Sequence, residues 1–140
     1  MKLKKFLVPV DGSDYSMQAA RYASELATLM DGEILLMHCH KPFPVVLGEP
    51  NFQKAVDKRM EESNELIEPY RKLFQEAGTS FIERILERPA AKTICEVAKL
   101  EKIDMIVIGS RGRNKLEGLL LGSCTHRVLS TAPCPVLVIR

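Results

Sequence analysis

Gly109, Gly112, Gly122 and Ser123 are the residues whose types and spacing could do chemistry. They lie in IGSRGRNKLEGLLLGS, which begins at the last residue of the apolar run Met105-Ile106-Val107-Ile108. Glycine opens backbone angles closed to other residues and lets a ligand touch the main chain. Exposed N–H groups in such a loop make a cradle for an anion. Gly122-Ser123 stands where a helix should begin. Ser123 would cap it, and the positive end of the helix dipole would face a phosphate. Arg111, Arg113 and Lys115 add cationic reach. The segment therefore has the equipment to wrap a polyphosphate. A plain surface turn is the other use of the same glycines. Neither Gly-x-x-x-x-Gly-Lys-Ser/Thr nor Gly-x-Gly-x-x-Gly occurs, so by motif the chain is neither a P-loop NTPase nor a Rossmann dehydrogenase.

A second polar turn, DGSDYS, starts at Asp11. Asp11 can hydrogen-bond a ligand, help hold a metal through water, or accept N–H bonds from its own turn. Ser110 and Ser123 are candidate nucleophiles, but the sequence places no His–acid pair beside them. His126, three residues after Ser123, reads as a surface or interface histidine. Cys39, Cys95, Cys124 and Cys134 form no Cys-x-x-Cys pair and read as reduced, packed thiols. A zinc site from Cys124 and His126 with His38 and His40 has no standard spacing.

These residues need elements to hold them. Residues 3–10 read as a strand, followed by a helix over about 15–30 with Ser16, Ala20, Ala23, Ala27 and Met30 on one face. Gly32 reads as its left-handed stop. Residues 33–39 form a second strand. A loop through Pro42, Pro44, Gly48 and Pro50 leads to a long helix over about 52–77, striped by Val56, Met60, Ser63, Ile67, Tyr70 and Phe74. Pro69 removes a donor inside that helix and should bend it. Residues 80–86 alternate, as a sheet-edge strand does. Pro89 opens a helix carrying Ile94, Val97 and Ala98. A fourth strand covers 104–109, a short helix about 123–131, and a last strand 135–139. Strands alternating with helices require right-handed crossovers and a parallel sheet covered on both faces. In such sheets ligands bind beyond the carboxyl ends of the strands, where strand order reverses. The loops after the first and fourth strands are the polar, Gly-rich ones there.

The bulk numbers fit one domain over 1–140, with 46% hydrophobic and 27% charged residues. A net charge of +2 does not argue for nucleic acid or an anionic membrane. Lys2, Lys4 and Lys5 read as solvating a strand end. No segment approaches the roughly 20 apolar residues needed to span a bilayer. The apolar run before Asp11 reads as too short for a signal peptide. The expectation is a cytoplasmic protein.

The whole chain resembles the universal stress protein family, and specifically its ATP-binding branch. That branch carries Gly, two residues, Gly, nine residues, then Gly-Ser or Gly-Thr, matched here by Gly109, Gly112, Gly122 and Ser123. The opening FLVPVDGSDYS and the ending APCPVLVIR are also similar to the family's. The resemblance implies a doubly wound five-stranded parallel sheet in the order 3-2-1-4-5, with the reversal between strands one and four. It implies that Pro9, Val10 and Asp11 lie on the adenosine side, with Cys39 near the adenine. Ile108 and Gly109 would line the ribose region. Gly112, Gly122, Ser123 and Cys124 would hold the phosphates, with Arg111 beside them. The ligand would be ATP or AMP, with Mg²⁺ bridging phosphates. Residues 136–139 would pair across a homodimer. The role implied is a regulatory switch in a stress response. With no general base evident beside the γ-phosphate, turnover should be slow or absent. A weak ATPase, a self-phosphorylating protein and a nucleotide-free interaction module are the alternatives. The chain departs from the family at Glu87-Arg88-Pro89, where many members have Gly-x-Pro, and at Cys39, where Val is common.

Overall fold

The computed structural model describes residues 2–112 and 120–140. Arg113 and Lys115 lie outside the described residues, as does most of the nine-residue stretch before Gly122.

Five strands form one parallel sheet in the order β3-β2-β1-β4-β5: β1 Lys5–Pro9, β2 Glu33–His40, β3 Phe81–Glu87, β4 Met105–Gly109 and β5 Val136–Ile139. Helices α1 Asp14–Met30, α2 Asn51–Ala77, α3 Ala90–Leu100 and α4 Ser123–Thr131 connect them. Because both faces are covered, the central strands are apolar at consecutive positions rather than alternating. Along β1, Phe6 and Val8 point into a core with Ala20, Ala23 and Ala27 of α1 and Ile67, Tyr70 and Phe74 of α2. Leu7 points the other way, into a core with Leu35, Met37, Ile106, Ile94 of α3 and Val128 of α4. The alternating segment is β3, and it does lie at the sheet edge with Ile82 exposed.

The helices carry the anticipated stripes, with two corrections. Met30 is 40% exposed and leaves the small-residue face, which ends at Ala27. The left-handed residue closing α1 is Asp31 (φ 51°, ψ 48°), not Gly32. Gly32 is needed for another reason: a Cβ there would sit 2.6 Å from the Lys4 carbonyl oxygen, against the backbone entering β1. The basic start of the chain also has definite tasks. Lys4 Nζ donates to the Met30 carbonyl at 2.6 Å, satisfying an orphan acceptor at the end of α1. The Lys4 and Lys5 amides both donate to Asp104 Oδ2 at 2.9 Å, tying the start of β1 to the start of β4.

Candidate functional site at the strand reversal

Strand order reverses between β1 and β4, which pair only through Phe6–Met105 and Leu7–Ile106. Beyond these pairs each strand keeps its outer neighbour. The Val10 amide donates to the Met37 carbonyl at 2.8 Å, and the Ser110 amide to the Ile139 carbonyl at 2.7 Å. A crevice therefore opens between the carboxyl ends of β1 and β4, where such sheets hold ligands.

The β1 side is built from side-chain hydrogen bonds. Pro9 ends the strand, Val10 is buried, and Asp11 starts the turn. Asp11 Oδ1 accepts from the Ser13 amide at 2.9 Å, the turn-satisfying role open to it from sequence. Gly12 takes a left-handed φ of 84°, and its amide donates to Tyr70 Oη at 3.1 Å. Tyr70 Oη lies 2.6 Å from Ser16 Oγ, which also donates to the Ser13 carbonyl and accepts from the Asp11 amide at 3.4 Å. Either hydroxyl of this pair can be the donor. Ser13 caps α1 by accepting from the Ser16 amide at 3.2 Å.

The β4 side is built from small residues. A Cβ at Gly109 would lie 2.8 Å from the Tyr15 carbonyl carbon, so α1 can approach the strand end only over glycine. This gives Gly109 a packing cause in addition to any ligand. A Cβ at Gly112 would lie 2.6 Å from Asp11 Oδ2, which shows how close the two loops come. The Gly122 amide donates to the Ser110 carbonyl at 2.8 Å, folding the segment's two ends together, and a Cβ there would be 3.3 Å from Arg111 Cα. Gly122, not Ser123, occupies the cap of α4, and Ser123 is the first helical residue with no capping bond from its side chain. Two bonds tie the helix start in place of a Ser123 cap: the Gly122 carbonyl accepts from the His126 amide at 3.0 Å, and Thr125 Oγ1 donates to the Gly109 carbonyl at 2.8 Å. Ser110 is buried. His126 is exposed, as expected of a surface histidine.

Ile108, Cys39 and Cys124 belong to or pack on the α3–α4 core. Burial pushes the Cys39 thiol up to about 11, with Cys124 nearby adding to it. Burial likewise raises Cys124 to about 11, reinforced by the Asp11 carboxylate. All four cysteines are free thiols. Among the described residues no group of three or more His, Cys, Asp and Glu side chains could hold a metal ion.

Between β2 and α2 lies a cleft of about 680 Å³, whose lining includes Asp11 of the β1 turn with His38, Cys39, His40, Arg59 and Arg88. Sequence reading weighed the two histidines only as zinc ligands and missed this role. The available signal was their two-residue spacing at a strand end, which puts both on one face. His38 Nδ1 donates to the Val10 carbonyl at 2.9 Å, and burial lowers its pKa. Arg88, noticed only as a departure from a pattern, places its charge where His38, Cys39 and Cys124 all feel it.

No described helix is long and apolar enough to cross a membrane. The family model for universal stress proteins matches residues 2–140. Universal stress protein MJ0531 of Methanocaldococcus jannaschii is 35% identical over 139 residues, covering 98% of this chain and 82% of that one. A universal stress protein of Thermus aquaticus is 34% identical over 137 residues, with 98% of each chain covered. The solved structure of MJ0577, also from M. jannaschii, superposes with a TM-score of 0.88 at 28% identity over 99% of this chain and 96% of that one. A universal stress protein solved in complex with cAMP has a TM-score of 0.78 at 20% identity, covering 100% and 99%. An Arabidopsis thaliana member with AMP bound has 0.71 at 21%, covering 97% and 90%. At those two identities the likeness is one of fold. The chain belongs to the universal stress protein family.

Proposed function

We propose that this chain is a single nucleotide-binding unit over 1–140 that takes an adenine nucleotide in the crevice between β1 and β4. The observation that carries this reading is the convergence of distant residues. Asp11 Oδ2 lies 2.6 Å from where a Gly112 Cβ would be, and Gly122 closes on Ser110 and Arg111. The phosphates sit on the main chain at Gly112, Gly122, Ser123 and Cys124, at the positive end of α4. Arg111 lies alongside. The adenosine lies against Pro9, Val10, Asp11, Cys39, Ile108 and Gly109. Structural neighbours solved with cAMP and AMP support an adenylate as ligand. ATP with Mg²⁺ is the form we assign. Asp11 Oδ2 is the atom placed to reach the ion through water, since Oδ1 is used by Ser13.

Occupancy of the crevice acts as a regulatory switch in a stress response, read by a partner or by a second copy paired along β5, in the cytoplasm. Calorimetric titration of the full chain with Mg-ATP tests this. A dissociation constant weaker than about 1 mM would remove the assignment.

A further inference from the structure

Asp11 is held on both sides of its own backbone by a pair of buried hydroxyls. Its amide donates to Ser16 Oγ at 3.4 Å, and the next amide, Gly12, donates to Tyr70 Oη at 3.1 Å. Those two hydroxyls share a hydrogen bond of 2.6 Å. Tyr70 is 1% and Ser16 4% exposed, so the pair works in a low-dielectric interior where hydrogen bonds are strong and costly to break. The Ser13 amide then donates to Asp11 Oδ1 at 2.9 Å, which orients the carboxylate. Oδ2 is the oxygen left over. It faces the Gly112 turn, where a Cβ would lie 2.6 Å away.

The Tyr70 bond differs from the others in where it comes from. Ser13 and Ser16 lie two and five residues from Asp11, in its own turn and helix. Tyr70 is 58 residues from Gly12, on the second half of α2. Its ring is packed in the core with Ile67 and Phe74 of α2 and Ala20 and Ala23 of α1, which gives the hydroxyl a rigid base. The turn thus takes its position from a helix that belongs to neither β1 nor β4.

The charge held in this way reaches the facing loop. The Asp11 carboxylate is, after burial, the largest cause raising the Cys124 thiol, and Cys124 lies in the first turn of α4. That helix start is where the phosphates are assigned. A fixed negative charge beside them opposes a bare triphosphate and favours one that carries a divalent cation. A carboxylate free to swing away does less of both.

We propose that Tyr70 is a positioning residue: by holding the Gly12 amide and Ser16 from α2, it keeps the Asp11 carboxylate at the phosphate loop and so sets how strongly nucleotide binding depends on a divalent cation. The inference rests on the nucleotide reading, and Tyr70 acts through Asp11.

The full chain is titrated calorimetrically with ATP, once with Mg²⁺ and once with EDTA, and the ratio of the two affinities is read. Binding should be tighter with Mg²⁺. Asp11→Asn removes the charge and should shrink the ratio by about tenfold. Tyr70→Phe keeps the buried ring and should shrink it several-fold. Ser16→Ala breaks the same pair from α1 and should act alike. In an Asp11→Asn background, Tyr70→Phe should change the ratio no further, because no charge is left to aim. A tyrosine that only supported the core would lower the melting temperature and leave the ratio alone. Equal wild-type affinities in the two conditions, a ratio that Asp11→Asn does not move, or one unchanged in both Tyr70→Phe and Ser16→Ala would overturn the proposal and leave the nucleotide reading standing. Failure of the wild-type chain to bind ATP in either condition would remove both.

Discussion

The two sides of the crevice are made by opposite means. The β1 side is held by side chains, through the Asp11–Ser13 bond and the Gly12–Tyr70–Ser16 chain. The β4 side is held by their absence, since Gly109, Gly112 and Gly122 let Tyr15, Asp11 and Arg111 come close. The difference teaches that a polar network can lose a member and relax, whereas a backbone contact has nowhere to go. Substitutions on the glycine side should therefore fail through crowding wherever the new methyl meets main chain, and those on the other side through unpaired hydrogen bonds.

The largest effect is expected for Gly109→Ala. The new methyl meets the Tyr15 backbone at 2.8–2.9 Å, and backbone of α1 cannot swing aside as a side-chain tip can. Overpacking of this kind costs about 2–3 kcal/mol, measurable by urea denaturation. A cost near zero would break the contrast. Tyr70→Phe comes next. It keeps the buried ring and removes the hydroxyl that accepts from Gly12 and shares a hydrogen bond with Ser16, at a cost of about 1–2 kcal/mol. Faster exchange of the Gly12 amide in this variant would show that the turn, and not the core, has loosened.

How much of this could be read from the chain alone divides along the same line. The strands and the helices were legible because apolar runs and stripes report burial directly, while the order of the sheet came from the resemblance to the family. Gly109, Gly112, Gly122 and Ser123 stood out because glycine beside a buried strand is conspicuous. Tyr70 was placed correctly on the apolar stripe of α2, but its hydroxyl's task was hidden, since the partners Gly12 and Ser16 lie more than fifty residues away. Asp31 was passed over as the left-handed residue because a neighbouring glycine is the ordinary occupant. His38 and His40 were weighed only as zinc ligands and set aside on spacing, so their shared face at the end of β2 went unread.

The third expectation concerns pH. His38 is held neutral by burial in the folded chain, against the smaller opposing pull of its Val10 bond. Its folded pKa is depressed, so the unfolded chain binds the extra proton first. Stability should be level above the ordinary value of 6.5 and fall as pH drops below it toward the lower folded value. Chemical denaturation across that window should show a smaller slope in His38→Gln. The least destabilising change is Gly112→Ala. Its methyl meets only the end of the Asp11 carboxylate, which can rotate, so stability should move by less than about 0.5 kcal/mol. Affinity for Mg-ATP should nevertheless drop by about tenfold or more, because the carboxylate is pushed from its place and the main chain is screened. Unchanged titration would show that the two loops do not share a ligand.

The short ladder between β1 and β4 has a mechanical consequence. The sheet amounts to two plates, β3-β2-β1 and β4-β5, sewn together by a seam at the bottom, where Asp104 adds a double stitch to Lys4 and Lys5. Above Leu7 and Ile106 there is no thread left to cut. The plates can spread or close at the top while every rung inside each plate stays intact, and α1, packed on β1 and on β4, is the strap that sets how far they travel.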